Sequence, residues 1–162
     1  MIKIIAAMDP DGGIGFHGHM PWKDEQELKL FRKLTMGEKI MMGKITWESL
    51  PGTLDGREVI LVTHDQKYPC PKGVKLCHDP ISMIQSYVAS NDTLMIGGGR
   101  SLYELAMPYA DVCYLSIMKD RYPCDISFPV WDKSAFSCEE ICEFPTFIWY
   151  FYKRKRDEVC DL

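Results

Sequence analysis

The sequence has no long apolar run, no internal repeat and no low-complexity or linker-like stretch. The absence of an apolar run of about 18 residues argues against a membrane-spanning helix. The apolar start, residues 1–8, has no basic leader and no convincing cleavage site, so we interpret it as a buried strand and not as a signal peptide. A net charge of −4 argues against general nucleic-acid binding, and 162 residues fit one globular domain.

The seven cysteines form no Cys-x-x-Cys pair, and their number is odd. Cys138 and Cys142 could be metal ligands, but no second pair at finger-like spacing supports a zinc site. Free thiols in a reducing compartment explain the whole set, including Cys160, more simply. We therefore predict a cytoplasmic protein that holds no metal.

Strand-like and helix-like segments alternate along the chain. The predicted strands cover residues 2–8, 39–42, 58–63, 73–77, 93–96, 111–118, 135–142 and 146–154. The predicted helices cover residues 25–34, 46–49, 80–89 and a segment that follows residue 99 and ends at about 106. This order predicts an α/β fold in a single domain over residues 1–162, with a tail that frays from about residue 156. Its mixed, mostly parallel central sheet would be flanked by about four helices and would end in an antiparallel edge hairpin.

Glycines crowd the segment between the first strand and Met20-Pro21-Trp22. Flexible glycines next to bulky apolar side chains are typical of a lid that closes over a site. Simple packing of Met20 and Trp22 in the core is the alternative interpretation.

Glu27 follows Asp24 by three residues, which is the spacing of a helix capping box. From the local sequence pattern alone, a role in the helix cap is the favoured interpretation of Glu27. However, Glu27 also lies at the border of the apolar face that carries Leu28 and Phe31. A carboxylate at that border could point into a cleft.

Two predicted strands end in glycine and lead into a helix, at Gly43-Lys44 and at Gly97-Gly98-Gly99. Neither turn is a known nucleotide motif. Five residues separate Gly37 from Gly43, and Ile45 stands where a P-loop needs Ser or Thr. Residues 97–102 do not match Gly-x-Gly-x-x-Gly. Both turns nevertheless present backbone N–H groups at a helix start, which favours phosphate binding. Two such turns in one small domain fit a dinucleotide better than a mononucleotide.

Taken together, the order and spacing of the motifs resemble the dihydrofolate reductase family over nearly the whole chain. The motifs are Ile4-Ile5-Ala6-Ala7-Met8, Gly13-Ile14-Gly15, Met20-Pro21-Trp22, Glu27, Phe31, Met42-Gly43-Lys44-Ile45-Thr46-Trp47-Glu48-Ser49, Leu54-Asp55-Gly56-Arg57, Ile96-Gly97-Gly98-Gly99, Tyr103, Asp125 and Phe128-Pro129. The resemblance implies NADPH-dependent reduction of 7,8-dihydrofolate to 5,6,7,8-tetrahydrofolate in one-carbon and thymidylate metabolism. Hydride would go to C6 and a proton to N5, with water as the proton donor.

The resemblance also implies a role for each matching position in the substrate site. Glu27 would hold the pterin, Ser116 would support this acid, and Trp22 would hold an ordered water. Met20 would close over the nicotinamide, and Arg57 would bind the α-carboxylate of the glutamate tail. The remaining implied substrate contacts are Ile5, Leu28, Phe31, Leu50, Leu54 and Tyr103.

NADPH is the implied cofactor, because Lys44 and His64 match positions at which members of the family contact the 2′-phosphate. The other implied cofactor contacts are Ala7, Ile14, Gly15, Met20, Gly43, Ile45, Thr46, Thr63, Gly97, Gly98, Gly99, Arg100, Ser101, Leu102 and Tyr103. The implied partners are dihydrofolate and antifolate inhibitors, with no nucleic acid and no membrane, and we predict a monomer.

Several positions depart from the family pattern. The acid is Glu where many bacterial members carry Asp, and residues 23–26 lack a proline. Pro51-Gly52-Thr53 leaves fewer basic groups near the glutamate tail. The family's Gly-Gly peptide is either Gly97-Gly98 or Gly98-Gly99; in the second case Gly97 replaces a bulky aliphatic that touches the pterin. Reduced sensitivity to trimethoprim is therefore a hypothesis.

Two other functions remain open from the sequence. One is a reductase of the same fold, such as that of riboflavin biosynthesis. The other is a catalytically weak protein that binds folate or a nucleotide. The combination of Glu27, Phe31 and Arg57 argues against the riboflavin-type reductase. The intact Met20-Pro21-Trp22 lid argues against a protein that only binds its ligands.

Overall fold

The computed structural model describes residues 1–50, 52 and 54–156, and this part contains ten strands and four α-helices. The strands are β1 Ile2–Met8, β2 Gly13–Gly15, β3 Lys39–Gly43, β4 Glu58–Val62, β5 Val74–Cys77, β6 Leu94–Ile96, β7 Ala110–Met118, β8 Ile126–Ser127, β9 Phe136–Glu143 and β10 Phe147–Arg154. The helices are α1 Glu25–Thr35, α2 Lys44–Ser49, α3 Pro80–Val88 and α4 Arg100–Ala106. Met107–Tyr109 and Lys133–Ala135 form short 3₁₀ turns.

Eight strands form one sheet in the order β5-β4-β3-β6-β1-β7-β10-β9. The neighbours from β5 to β7 are parallel, whereas β10 is antiparallel to both β7 and β9. Strand β1 lies in the middle, where Ile4 pairs with Ile96 of β6 and with Cys113 of β7. The predicted fold class is confirmed.

Side chains of β1 alternate between two apolar layers, as the period of a strand requires. Ile4 and its alternate neighbours pack in the main cluster with Ile84 of α3 and Leu102 of α4. Ile5 packs in a second cluster with Phe31 of α1. Helices therefore cover both faces of the sheet, and α1 covers the face that carries Ile5.

Helix α1 begins at a side-chain cap, because Asp24 Oδ1 accepts a hydrogen bond of 3.0 Å from the backbone N–H of Glu27. Acids in the first turn and Arg32 and Lys33 in the last turn complement the helix dipole. Helix α3 starts in the same way, with Asp79 as the cap and Pro80 in the first turn, where proline is well tolerated.

The predicted strands and helices agree with the structure to within two residues at their ends. The sequence does not predict the small antiparallel sheet of β2 and β8. The expectations for Pro51, Thr53, Cys160 and the tail beyond residue 156 lie outside the described residues. In the part of the chain that is described, no helix is long and apolar enough to cross a membrane.

Candidate functional site

Two glycine turns meet at the carboxyl ends of the neighbouring strands β3 and β6. The N–H of Gly43 donates to the carbonyl of Gly98 at 2.8 Å, and the N–H of Gly97 donates to the carbonyl of Met41 at 2.8 Å. The carboxyl ends of parallel strands are where open α/β sheets bind ligands. The sheet order therefore joins the two phosphate-binding candidates into one surface.

The peptide between Gly98 and Gly99 is cis, and Gly98 has a φ of 114°. A Cβ atom on Gly98 would lie 3.1 Å from Tyr103 Oη and 3.5 Å from Thr46 Oγ1. A Cβ atom on Gly43 would lie 3.9 Å from Gly98 O. The positive φ and the close approach of Tyr103 favour glycine at position 98, whereas the distance at Gly43 is an ordinary van der Waals contact.

Glu27 is buried, with 7% of its surface exposed, although it carries an ionisable group. Burial, and then the negative charge of Asp24, raises the pKa of Glu27 to about 7. Among the described residues, no side chain or backbone group donates a hydrogen bond to this carboxylate. Only half of the predicted capping box therefore forms: Asp24 caps the helix, and the carboxylate of Glu27 is left for another donor.

Tyr103 lies near the acid, and Ser116 is a buried hydroxyl of strand β7. The hydroxyl of Tyr103 donates to the carbonyl of Ile5 at 2.9 Å, and burial, followed by the charge of Glu27, strongly raises the pKa of Tyr103. Ser116 is buried and pairs in register with Ala7 of β1 and Trp149 of β10. Within the described ranges, no hydrogen bond joins Ser116 to Glu27.

Trp22 is buried against the edge of the same face. Its ring lies 5.3 Å from that of Tyr122, measured between centroids. Its Nε1 is buried and has no hydrogen-bond partner in the described part of the chain. Trp22 thus belongs to the core, as the alternative interpretation has it, and still carries a polar atom that no described group satisfies.

An apolar wall lies beside Glu27. Ile5 is its buried centre, and Phe31 of α1 packs against the same cluster. Leu50 and Leu54 join this cluster from the segment after α2. Four of the five predicted wall residues are therefore brought together, while Leu28 is half-buried outside the cluster.

Arg57 stands at the far end of α1 from Glu27. Its Nη1 donates to Thr35 Oγ1 at 3.2 Å, which holds the guanidinium against the end of the helix. Partial burial and the charge of Arg32 lower the pKa of Arg57, and Asp55 partly offsets them. Arg32 adds a second positive charge near Arg57, and it is not among the residues predicted from the sequence. Its position in the last turn of α1 could have indicated this.

The glycine segment after β1 is an ordered arm. The N–H of Phe16 donates to the carbonyl of His19 at 2.7 Å, and His17 and Gly18 turn the chain with positive φ angles of 50° and 80°. Met20 follows this turn and is 40% exposed. The arm therefore ends in a tight turn and presents a large apolar side chain to solvent.

Polar side chains surround the glycine surface. Lys44 Nζ lies 5.2 Å above the ring of Tyr68, and His64 is exposed after β4. Arg100 donates to Ser127 O at 3.1 Å and to Glu104. Both helices that start here, α2 and α4, have a glycine as N-cap with no side-chain hydrogen bond.

The chain was compared with known protein families, curated sequences and solved structures. The family model described as dihydrofolate reductase matches residues 1–146. The chain belongs to the dihydrofolate reductase family. A dihydrofolate reductase of Mycoplasma genitalium is 37% identical over 160 residues, covering 96% of this chain and 99% of the relative. One of Ureaplasma parvum is 30% identical, covering 98% and 100%.

A solved structure shows the same fold. Dihydrofolate reductase from Enterococcus faecalis, complexed with NADP(H) and RAB-propyl, aligns with a TM-score of 0.85 and 26% identity. The alignment covers 96% of this chain and 97% of that one. This chain therefore shares its fold with that enzyme over nearly its whole length.

Gly97 directly precedes the cis peptide between Gly98 and Gly99. Side chains of the neighbouring strand β3 lie close to Gly97. A Cβ atom on Gly97 would lie 2.9 Å from Ile40 Cδ1 and 3.5 Å from Met42 Cε. Ile40 and Met42 therefore occupy the space into which a side chain at position 97 would extend.

The residues present fit NADPH. The glycine surface lets phosphate oxygens approach backbone N–H groups, and Lys44 and His64 supply exposed basic side chains beside it. Thr46 Oγ1 lies at the same corner, 3.5 Å from a Cβ atom built on Gly99. Leu102, in contrast, is buried in the main core, so its side chain offers little surface for contact.

Proposed function

We propose that the cleft between α1 and the glycine turns is where this chain reduces 7,8-dihydrofolate to 5,6,7,8-tetrahydrofolate with NADPH, the activity of its family. The observation that carries this proposal is Glu27, a buried carboxylate to which no described group donates a hydrogen bond. A buried acid of this kind needs a donor. The pterin edge, with a ring N–H and a 2-amino group, supplies two parallel donors.

Glu27 then has two tasks. Its two oxygens accept the ring N–H and the 2-amino group, a bidentate pair that burial strengthens. Because the pKa of Glu27 is about 7, Glu27 is partly protonated near neutral pH when no ligand is bound. The N–H donors of the pterin edge would favour the charged carboxylate and so lower this pKa. Ser116 and the buried N–H of Trp22 lie on the same face and are the polar groups available to hold a water beside the acid.

The apolar wall and the guanidinium would orient the rest of the substrate. Ile5 and Phe31 would contact the rings, with Leu28, Leu50 and Leu54 around them. Arg57 is half-buried and fixed by Thr35, so its planar donors are preorganised for the α-carboxylate of the glutamate tail. Arg32 would add attraction without a fixed contact.

NADPH, when bound, supplies the hydride that C6 receives. Gly43, Gly98 and Gly99 would let its phosphates approach the backbone, and Lys44 and His64 would meet the 2′-phosphate. Met20 would exclude water from the nicotinamide side. Water would supply the proton to N5, while Glu27 would polarise the ring.

A direct test is oxidation of NADPH in the presence of dihydrofolate, followed by absorbance. Glu27→Gln should lower kcat/KM by about 10²-fold or more, because the neutral amide cannot accept from both donors. Glu25→Gln is the matched control, since Glu25 lies exposed in the same helical turn. Normal turnover in Glu27→Gln, with a native circular dichroism spectrum, would remove Glu27 from the reaction.

Arg57→Leu tests the position of the glutamate tail. Loss of the bidentate donor should raise KM for dihydrofolate about 10-fold or more and leave kcat nearly unchanged, since Arg57 lies at the opposite end of α1 from Glu27. A folate analogue without the glutamate should not distinguish the variant from the wild type. An unchanged KM for dihydrofolate would place the tail elsewhere.

The alternative functions are not favoured. A reductase acting on a ribityl phosphate has no need of the carboxylate clamp at Arg57, and the family match covers residues 1–146. A binding protein without turnover would show NADPH and folate binding by calorimetry but no NADPH oxidation. The turnover assay therefore separates it from an enzyme.

We further propose that residues 1–162 form one domain that works as a cytoplasmic monomer, with dihydrofolate and antifolates as partners. The six described cysteines are all free thiols, which supports a reducing compartment. Light scattering on the purified chain should give the mass of one chain, 18.7 kDa. A stable dimer would contradict the proposal.

A further inference from the structure

Asp9 is a buried carboxylate that the proposed reaction does not use. It follows β1 directly and is only 3% exposed. A buried carboxylate is unfavourable unless hydrogen-bond donors surround it. Its partners therefore indicate what it holds together.

Three backbone N–H groups donate to Asp9. Oδ1 accepts from Asp11 at 3.0 Å and from Gly13 at 2.8 Å, which closes the turn between β1 and β2. Oδ2 accepts from Tyr122 at 3.3 Å, a residue 113 positions away. One side chain thus joins the start of the glycine arm to a distant segment.

We name residues 13–20 the lid and residues 119–128 the bracing segment. The bracing segment follows the lid closely: the N–H of Asp125 donates to Gly15 O at 2.9 Å, and the N–H of Phe128 donates to Gly12 O at 2.7 Å. A Cβ atom on Gly13 would lie 2.6 Å from Cys124 Cβ, so the Cys124 side chain lies directly against the backbone of Gly13. Asp9 lies at the fixed end of this arrangement, where the lid leaves the sheet.

The bracing segment also reaches the site through Tyr122. Its backbone N–H binds Asp9, and its ring packs on Trp22, just after the lid. Movement of Tyr122 would therefore change both ends of the lid. The negative charge of Asp9 also contributes, after burial, to the raised pKa of Cys124, so the carboxylate lies close to the bracing segment.

We propose that Asp9 is a positioning residue, whose carboxylate ties the bracing segment to the base of the lid and so holds Met20 where it can cover the cofactor. The proposal rests on the lid role of Met20 proposed above. It makes no claim that Asp9 touches a substrate.

Asp9→Asn should break the long-range hydrogen bond from Tyr122 and keep the local hydrogen bonds of the turn. An amide has one accepting oxygen, and the turn offers it two donors, from Asp11 and Gly13. The amide NH₂ then faces the N–H of Tyr122, and two donors do not bind each other. Asp9→Ser is a second variant, because its shorter side chain can still accept within the turn but cannot reach Tyr122.

Hydrogen exchange on the protein without ligands gives the first readout. In both variants the amide of Tyr122 should exchange about 10-fold faster, while those of Asp11 and Gly13 change little. Asp11→Asn is the matched control: it breaks the exposed ion pair of 3.0 Å between Asp11 and Arg121, which joins the same two segments. Unchanged exchange at Tyr122 would overturn the proposal, whatever the enzyme's activity.

Ligand affinity gives the second readout, by fluorescence titration with NADPH and with methotrexate. Asp9→Asn should raise Kd for NADPH about 10-fold and leave Kd for methotrexate within about two-fold, because the lid covers only the cofactor side. Asp11→Asn should change neither. Equal weakening of both ligands, or an unchanged Kd for NADPH, would overturn the positioning role. Failure of the wild type to oxidise NADPH would instead contradict the proposed function, and the exchange result would still stand.

Discussion

At the scale of single residues, Glu27 shows how one position can satisfy a folding pattern and still serve a site. Asp24 and Glu27 have the spacing of a capping box, and the cap on the backbone N–H does form. The carboxylate does not complete the box, because α1 places it on the buried side beside Tyr103. The local pattern predicts the helix start correctly and leaves the direction of the side chain open.

The raised pKa of Glu27 predicts a pH-dependent cost to stability. In the unfolded chain its pKa is the ordinary 4.5, whereas in the folded protein it is about 7. Below pH 4.5 the group is protonated in both states, so Glu27→Gln should change the free energy of unfolding little. Between these values only the folded state holds the proton, so the wild type loses stability relative to the variant as pH rises. The difference should level off above pH 7, at up to about 3 kcal/mol.

Urea unfolding of both proteins between pH 4 and 8 would measure this difference. Glu25→Gln removes the same charge at an exposed position of the same turn and should give a small difference that varies little with pH. A variant that is less stable than the wild type at pH 8 would contradict a buried, unpaired carboxylate. This loss of stability is expected for a side chain that binds a ligand, since the ligand supplies the hydrogen-bond donors that the carboxylate of Glu27 lacks.

At the scale of elements, the long strands and helices could be predicted because their apolar residues follow a period. Strand β1 alternates between two layers, and α1 places Phe31 and Leu34 on one face. Strands β2 and β8 have no such period, since both are very short and two of the three residues of β2 are glycine. Their pairing depends on contact between Gly15 and Ile126, which lie far apart in sequence.

Gly15→Ala should therefore disturb the small sheet. A Cβ atom at this position would lie 2.7 Å from Ile126 Cγ2, closer than van der Waals contact permits. The amide of Asp125, which donates to Gly15 O, should exchange faster by hydrogen exchange. Ile126→Ala removes the opposing methyl group and should largely restore slow exchange in the double variant. Faster exchange that Ile126→Ala leaves unchanged would point to the backbone of residue 15 as its cause.

At the scale of the whole molecule, the sheet order decides where the site lies. Strand β6 enters between β1 and β3, although it follows them by more than 50 residues. This insertion brings Gly98 to Gly43 and Tyr103 to Ile5. Periodicity predicts each strand but not its neighbours, so the two glycine turns could be named from the sequence while their contact could not. The family resemblance implied that both turns contact the cofactor, but it did not predict the order of the strands.

Because the glycine surface joins two strands of the sheet, cofactor binding should stabilise the whole fold. Ligand at about 100 times its Kd adds about 2.7 kcal/mol, or about 5–10 °C in Tm for a domain of this size. NADPH should raise Tm more than NADH at equal concentration, since Lys44 and His64 are exposed beside the surface and would meet the 2′-phosphate. Lys44→Gln should reduce the NADPH shift and leave the NADH shift unchanged. Equal shifts with the two cofactors in the wild type would place the 2′-phosphate away from Lys44 and His64.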